Sequence, residues 1–452
     1  MRYNPQMNQE FFRGAITEGT DSSFDSVVEC EKAEREAKPL TPGKLLYKDP
    51  YYSQLKEWPG VENLLFFAAK FPEVFSLYPI GETSSTGART LNIQAHDWAG
   101  DHYINLKGAS SITTGENEES DNLLKWQVFK RMNIGWQGSA GREVLDQADQ
   151  DIKAFRHLVK FNPELEFDLN APIWRPVGVT AHKAGLTTVL NDINFTEKPY
   201  QVVDTVVSAR RIPYSPYRIE EYLQFREPTP TSQKGFEELK KKWGYEDDAS
   251  LFIRAGGRLG QATNMFHKAG MTHRQSFLVV NYGYNRRESG YSSAAWMNFN
   301  NIGIDGSLGD MDTVAEVTPG GQWKKNVETF GSLCMYLMFV HRQRPDLLEN
   351  KEFLNAFFTQ WRHSLGEEIF NLLKTKKTFP IRGLNDTFSV ALDAISTYIR
   401  WMESPIDIRP NGTPNQTITY TGYLDFQGKD TWVPSARSVV KNLHQNREIV
   451  GL

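Results

Sequence analysis

The strongest constraint on how this chain folds is a change of pattern near residue 218. Before it, "LNIQAHDWAGDHYINLKGAS", "PIWRPVGVTAHKAG" and "YQVVDTVVSARRIP" read as strands, the first broken by the tight turn "DWAGD". A helix, "ENLLFFAAKFPEVF", precedes them, and another with clear periodicity covers residues 141–160. After residue 218, "IEEYLQFRE", "FEELKKKWG", "ASLFIRAGGRLGQATNMFHKAG" and most of 322–402 look helical, with "SFLVVNYGYNRR" as a strand-like exception. The pattern predicts an α+β chain of two lobes with a cleft between them. The expected parts are an N-terminal arm over 1–45, a β-rich N-lobe over 46–218 and a mainly helical C-lobe over 219–452.

Composition narrows the function. A formal net charge of -4 gives no global reason to expect nucleic-acid binding. Two cysteines, Cys30 and Cys334, can form neither a disulfide framework nor a zinc site on their own. The first residues lack the apolar core of a signal peptide, and the most apolar helical stretch, "GSLCMYLMFV", is too short for a membrane span. The expectation is a soluble, cytoplasmic protein with no nucleic-acid or membrane partner.

Three constellations carry chemistry. On the helix at 141–160, Val144, Ala148, Ile152, Phe155 and Leu158 form an apolar stripe, and Asp151 falls inside it. A carboxylate against a core needs a partner, and Lys107 in "YINLKGAS" is the candidate. A strand lysine held by a helix acid is how many nucleotide enzymes aim an ammonium at phosphates. In "RRIPYSPYR", Pro213 and Pro216 forbid a long helix, so Arg211 and Arg218 suit a bidentate grip on phosphate oxygens. The third is "NNIGIDGSLGDMD", residues 300–312, with two Asn, three Asp and glycines at 303, 306 and 309. Asn301 and Asp310 can bind Mg²⁺, which needs few side chains when phosphates and water complete its shell. A calcium loop of the EF-hand kind is the rival, with Asn301, Asp305, Gly306 and Asp312 at its first, fifth, sixth and twelfth positions, but Gly303 leaves the third ligand empty. A plain acidic turn is the simplest alternative. "AGGRLGQ" sits in a helical pattern and is poor support for phosphate binding, whereas "STGART" suits a short phosphate-covering loop.

Together these pieces resemble selenoprotein O and its bacterial relatives, kinase-fold enzymes that act as protein adenylyltransferases. The family carries L-K-G-A, then D-G-R-x-V-L with a helix acid nine residues after the Arg. This chain has "LKGA", then "AGREVL" with Asp151 nine residues after Arg142. The family's R-x-x-P-S-x-x-R is matched by "RIPYSPYR", and its metal loop by "GMTH" at 270–273 and "NFNNIGIDGSLGD" at 298–310. The match covers roughly residues 80–315 through scattered motifs in order.

The resemblance implies a protein-kinase-like two-lobed fold in which ATP binds reversed, presenting its α-phosphate. It implies that Lys107, Arg211 and Arg218 grip the outer phosphates and that Asp151 orients Lys107. It further implies that Asn301 and Asp310 hold Mg²⁺ or Mn²⁺, with Gly87, Arg89, Gly141 and Arg142 near the nucleotide. The partners implied are ATP and a protein bearing a hydroxyl side chain. The family's general-base Asp is Asn300 here, a neutral amide, with Asp305 or Asp312 as substitutes. About two dozen residues also separate His273 from the metal loop, where the family has almost none. Three activities therefore stay open: AMP transfer from ATP, transfer of the γ-phosphate, and a catalytically silent nucleotide-binding scaffold.

Overall fold

The computed structural model describes residues 40–71, 90–109, 143–190, 200–223, 230–273, 277–285, 290–297, 299–311, 314–317, 322–374, 386–403 and 432–451. It is an α+β structure whose contacts divide it into two compact units. One unit holds the described residues up to Pro216 together with Asp310 and Met311; the other holds Tyr217 to Gly309 and Val314 onward. The division thus falls inside the proline-stiffened "RIPYSPYR". Asp310 departs from the expected boundary, because its side chain is held by groups of the sheet unit.

The first unit is built on an antiparallel sheet in the order β1 (Leu45–Lys48), β5 (Arg175–Leu190), β6 (Tyr200–Ile212), β3 (Gly100–Lys107) and β2 (Thr90–Asp97). A short β4, Glu143–Val144, pairs with β6. The turn between β2 and β3 forms where expected: Asp97 accepts the Ala99 amide at 2.9 Å, and Gly100 takes a φ of +106°. Helix α1 (Trp58–Lys70) packs Val61, Leu65 and Ala68 on Ile104, Leu106, Val207 and Ala209. It approaches so closely at Gly178 that a Cβ there would lie 2.6 Å from the Leu65 side chain. Full burial of a leucine such as Leu65 contributes roughly 2 kcal/mol. Helix α2 (Leu145–Phe161) covers the other face, with Leu145, Ala148 and Ile152 on Val179, Ala181 and Val206.

With both faces covered, the two-residue period of a strand sorts the residues of β6. Val207, Ala209 and Arg211 share the face under α1, while Val206, Ser208 and Arg210 share the face under α2. The helix expected over 141–160 begins only at Leu145, because Glu143 and Val144 pair with Val206 and Thr205 and extend the sheet. Val144 therefore leaves the helical stripe, and Asp151 stays on the buried side.

The second unit is mainly helical. Helices α3 (Pro230–Trp243), α4 (Asp248–Lys268), α5 (Gln322–Gln343), α6 (Lys351–Leu365) and α7 (Thr387–Glu403) make most of it, with a further helix over 432–445. Phe236, Phe252 and Phe339 meet edge-on or tilted in its core, joined by Tyr222. The glycines of "AGGRLGQ" lie on α4 and let α6 come close; a Cβ on Gly256 would sit 2.4 Å from the Phe357 ring, and one on Gly260 2.6 Å from the Trp361 carbonyl. Much of the stretch after His273 is an antiparallel hairpin, β7 (Phe277–Asn285) with β8 (Gly290–Met297).

The acidic glycine stretch is a closed hairpin rather than a pliable loop. Ile302 and Leu308 bridge antiparallel, the Gly303 amide donates to Ser307 O at 2.8 Å, and the Gly309 amide to Asn301 O at 3.1 Å. The Tyr336 hydroxyl on α5 donates to Ile304 O at 2.8 Å. Gly306 has a φ of +77°, and a Cβ there would lie 2.0 Å from the Ala255 carbonyl of α4. Gly306→Ala is therefore expected to destabilise the protein by about 2–4 kcal/mol, from left-handed backbone strain and overpacking. An unchanged urea midpoint would contradict this packing.

Candidate functional site

The last residue of β3, Lys107, stands opposite Ser208, and Asn105 stands opposite Arg210. Alternation places Lys107, Ser208 and Arg210 on the α2 face. Gly108 turns the chain at a φ of +84°, where a Cβ would lie 2.5 Å from Val206 O and 2.8 Å from the Glu143 amide. Only glycine lets β4 bring Glu143 beside Lys107.

Five charges converge here. The Lys107 amine lies 2.6 Å from Asp310 Oδ1 and 3.3 Å from Glu143 Oε1. The Arg210 guanidinium lies 3.2 Å from Asp310 Oδ1 and 3.5 Å from Glu143 Oε1, and it also pairs with Asp151 Oδ2. Ser208 donates its hydroxyl to the other Glu143 oxygen. Three carboxylates thus face two cations, a formal excess of one negative charge. Asp310 is the most accessible, with 19% of its side chain exposed against 3% or less for the others. It also holds a φ of +56°, the one non-glycine residue with positive φ among those described. Asp tolerates that region better than most residues, and such backbones gather at functional sites.

The structure brings Lys107, Asp151 and Asp310 together around Arg210 and Glu143. Asp151 pairs with Arg210, and Glu143 and Asp310 both lie at the Lys107 amine; the late start of α2 puts Glu143 nearer the strand. Arg211 is not part of the cluster. It lies on the opposite face, its Nε donating to Asp97 Oδ2 at 2.7 Å and its terminal nitrogens to Asp97 Oδ1 and the Leu169 carbonyl. His102 extends this buried network, 3.3 Å from Asp97 and 3.3 Å from the Tyr52 hydroxyl. Arg211 pairs with Asp97, and its neighbour Arg210 stands in the cluster.

In the second unit, Arg218 is buried and its backbone bridges Gly303, so it belongs with the glycine hairpin. Asn301 is buried in the same hairpin. His273 bonds the Gly309 carbonyl at 2.8 Å, fixing the residue before Asp310. Asp305 is consumed internally: its carboxylate accepts the Ser307 hydroxyl at 2.5 Å and amide at 3.1 Å, and faces Arg258 at 3.4 Å. It is fully buried. Asn300 lies in a short turn over Phe299–Asn301. Gly87, Arg89, Gly141, Arg142 and Asp312 lie outside the described residues.

Among the described residues no group of three or more His, Cys, Asp or Glu side chains is arranged to hold a metal ion. A divalent ion at Asp310 would draw most of its ligands from water and phosphate oxygens, as Mg²⁺ commonly does. An excess carboxylate on the most accessible member of the cluster fits that role.

Other perturbed groups are poorer candidates. Burial pushes the Lys325 amine down to about 8, with Glu328 opposing, yet the amine donates to the His267 carbonyl beside a cavity of about 20 Å³. That volume holds about one water molecule. Burial also pushes the Cys334 thiol up to about 12, which keeps it unreactive. No helix among the described residues is long and apolar enough to cross a membrane. The chain matches no protein-family model and no curated protein.

Two site residues were missed from sequence, Glu143 and Arg210. Strand parity carries the signal for the second: Val207 and Ala209 are apolar, so the arginine in phase with them is Arg211. Arg211→Met is expected to lower unfolding stability by about 3–5 kcal/mol, because Asp97 then stays buried without its guanidinium. A variant with unchanged stability but lost nucleotide affinity would restore Arg211 to the site.

Proposed function

We propose that the protein binds ATP with a divalent cation and transfers AMP to a hydroxyl side chain of a protein, within a kinase-like two-lobed fold. The observation that carries this reading is the Lys107 amine, fixed between Asp310 and Glu143 with Arg210 alongside. The cluster combines an oriented cation pair with an accessible carboxylate, the parts needed to bind and polarise a metal-chelated triphosphate. The motif resemblance supplies the direction of transfer.

In this reading Asp310 would hold the ion, whose charge would offset that of the phosphates. Lys107 and Arg210 turn toward phosphate oxygens when the nucleotide enters, relieved of part of their hold on Asp310. Glu143, fixed by Ser208, keeps the Lys107 amine oriented, and Asp151 does the same for Arg210. The acceptor oxygen bonds to the α-phosphorus as the bond from that phosphorus to the bridging oxygen breaks. Pyrophosphate leaves with the electron pair, and the hydroxyl proton passes to water.

A silent scaffold is the second reading, favoured by Asn300 at the general-base position and by the internal pairing of Asp305. Incubation with ATP labelled at the α-phosphate, followed by intact-mass analysis, separates these readings. The expected result is an AMP-sized gain on the protein or a target, with Asp310→Asn weakening metal-dependent ATP affinity at least about tenfold. A tenfold loss of affinity corresponds to about 1.4 kcal/mol of binding free energy. A phosphate-sized gain would replace the reading with a kinase, and thermal stabilisation by ATP without a covalent product would replace it with a scaffold. No response to ATP at all would overturn the nucleotide site.

A further inference from the structure

The first unit holds a cavity of about 170 Å³ between the residues after β1, the outer turns of α2 and the start of β5. None of its lining residues belongs to the charged cluster. Tyr47, Tyr51, Phe155 and Val159 supply the apolar lining, the last two one helical turn apart on α2. Pro50, Arg156 and Glu166 also line it and are exposed, so solvent reaches it. An engineered apolar cavity of roughly 150 Å³ accepts benzene, so one six-membered ring fits this volume.

Asp49 sets the polar character of the lining. Its Oδ1 accepts the Tyr51 amide at 3.1 Å and the Tyr52 amide at 2.7 Å, closing the short helical turn Tyr52–Gln54. The same oxygen accepts an Arg175 nitrogen at 2.7 Å. Its Oδ2 takes part in none of these bonds and has no hydrogen-bond partner among the described residues. Arg175 offers an entering molecule little. Its other terminal nitrogen donates to the Leu165 and Glu166 carbonyls, and its Nε, like the Tyr47 hydroxyl, is sealed from solvent. The Arg175 guanidinium also stands 5.4 Å from the Tyr51 ring centre and 5.2 Å from that of Phe155, so a cation already lies against both rings. Charge in the lining is balanced, Arg175 against Asp49 and the exposed Arg156 against the exposed Glu166. A second cation would meet Arg175, and an anion would meet Asp49. The lining therefore favours a neutral occupant with a hydrogen to donate.

We propose that this cavity binds a small, neutral aromatic molecule that donates an O–H or N–H hydrogen bond to Asp49 Oδ2. A carboxylate oxygen is a strong acceptor, and a ring without a donor would strip it of water and return nothing.

Phenol is the test probe. Toluene is the ring of similar size without a donor, anisole keeps the oxygen but lacks the O–H, and benzylamine is the cationic analogue. Each is titrated into the full chain by ligand-detected NMR. Phenol is expected to bind about tenfold more tightly than toluene or anisole, and more tightly than benzylamine. Asp49→Asn keeps the Oδ1 acceptor and puts an amide donor in place of Oδ2. It is expected to bind toluene as before and to lose the preference for phenol. Val159→Trp, which fills the cavity from a half-buried helix position, is expected to abolish binding of all four. No phenol binding to the parent chain would overturn the site, as would binding undiminished by Val159→Trp. Equal affinity of the parent chain for phenol, anisole and toluene, a comparison that needs no variant, would overturn the assigned hydrogen bond. An unaltered preference for phenol in folded Asp49→Asn would do the same, and tighter binding of benzylamine would overturn the neutral ligand. None of these outcomes depends on ATP.

Discussion

The shared hold of Glu143 and Asp310 on the Lys107 amine is the interaction on which the rest of the site depends. Taking ions out of water costs several kcal/mol each, and only close opposite charge offsets it. Lys107, Arg210, Glu143 and Asp151 are almost wholly buried, so each depends on the others. Local backbone serves that closeness: Gly108 admits Glu143 to the amine, and Asp310 accepts a left-handed conformation. Asp310 is the most accessible of the five.

Adjacent arginines on β6 show how strand geometry divides labour. Arg210 faces α2 and joins the cluster, whereas Arg211 faces α1 and closes a buried network with Asp97, His102 and Tyr52. One residue of offset separates a candidate ligand-binding group from a structural one. The glycine hairpin divides in a comparable way. Asp305 stabilises the hairpin from within, and Asp310, just past its end, belongs to the sheet unit.

Local patterns made much of the fold legible. The strands of the first unit, the β2–β3 turn, helix α2, the helical second unit and a strand in the stretch after His273 all follow from periodicity and turn residues. So does the buried Asp151. What local patterns did not reveal depends on contacts distant in sequence. Nothing near Asp305 announces Arg258, which lies 47 residues away. Glu143 looked like the first turn of a helix because its strand is two residues long and exists only by pairing with β6. For Arg211, a spacing matched to a motif outweighed the parity of the strand, and parity was the better physical guide.

The most direct measurement is a double-mutant cycle on metal-dependent ATP affinity, with Lys107→Met and Glu143→Gln made singly and together. If the two side chains act as one unit in holding the nucleotide, their effects are coupled by about 1–3 kcal/mol. Effects that add to within about 0.5 kcal/mol, or a parent chain without ATP affinity, would contradict the account.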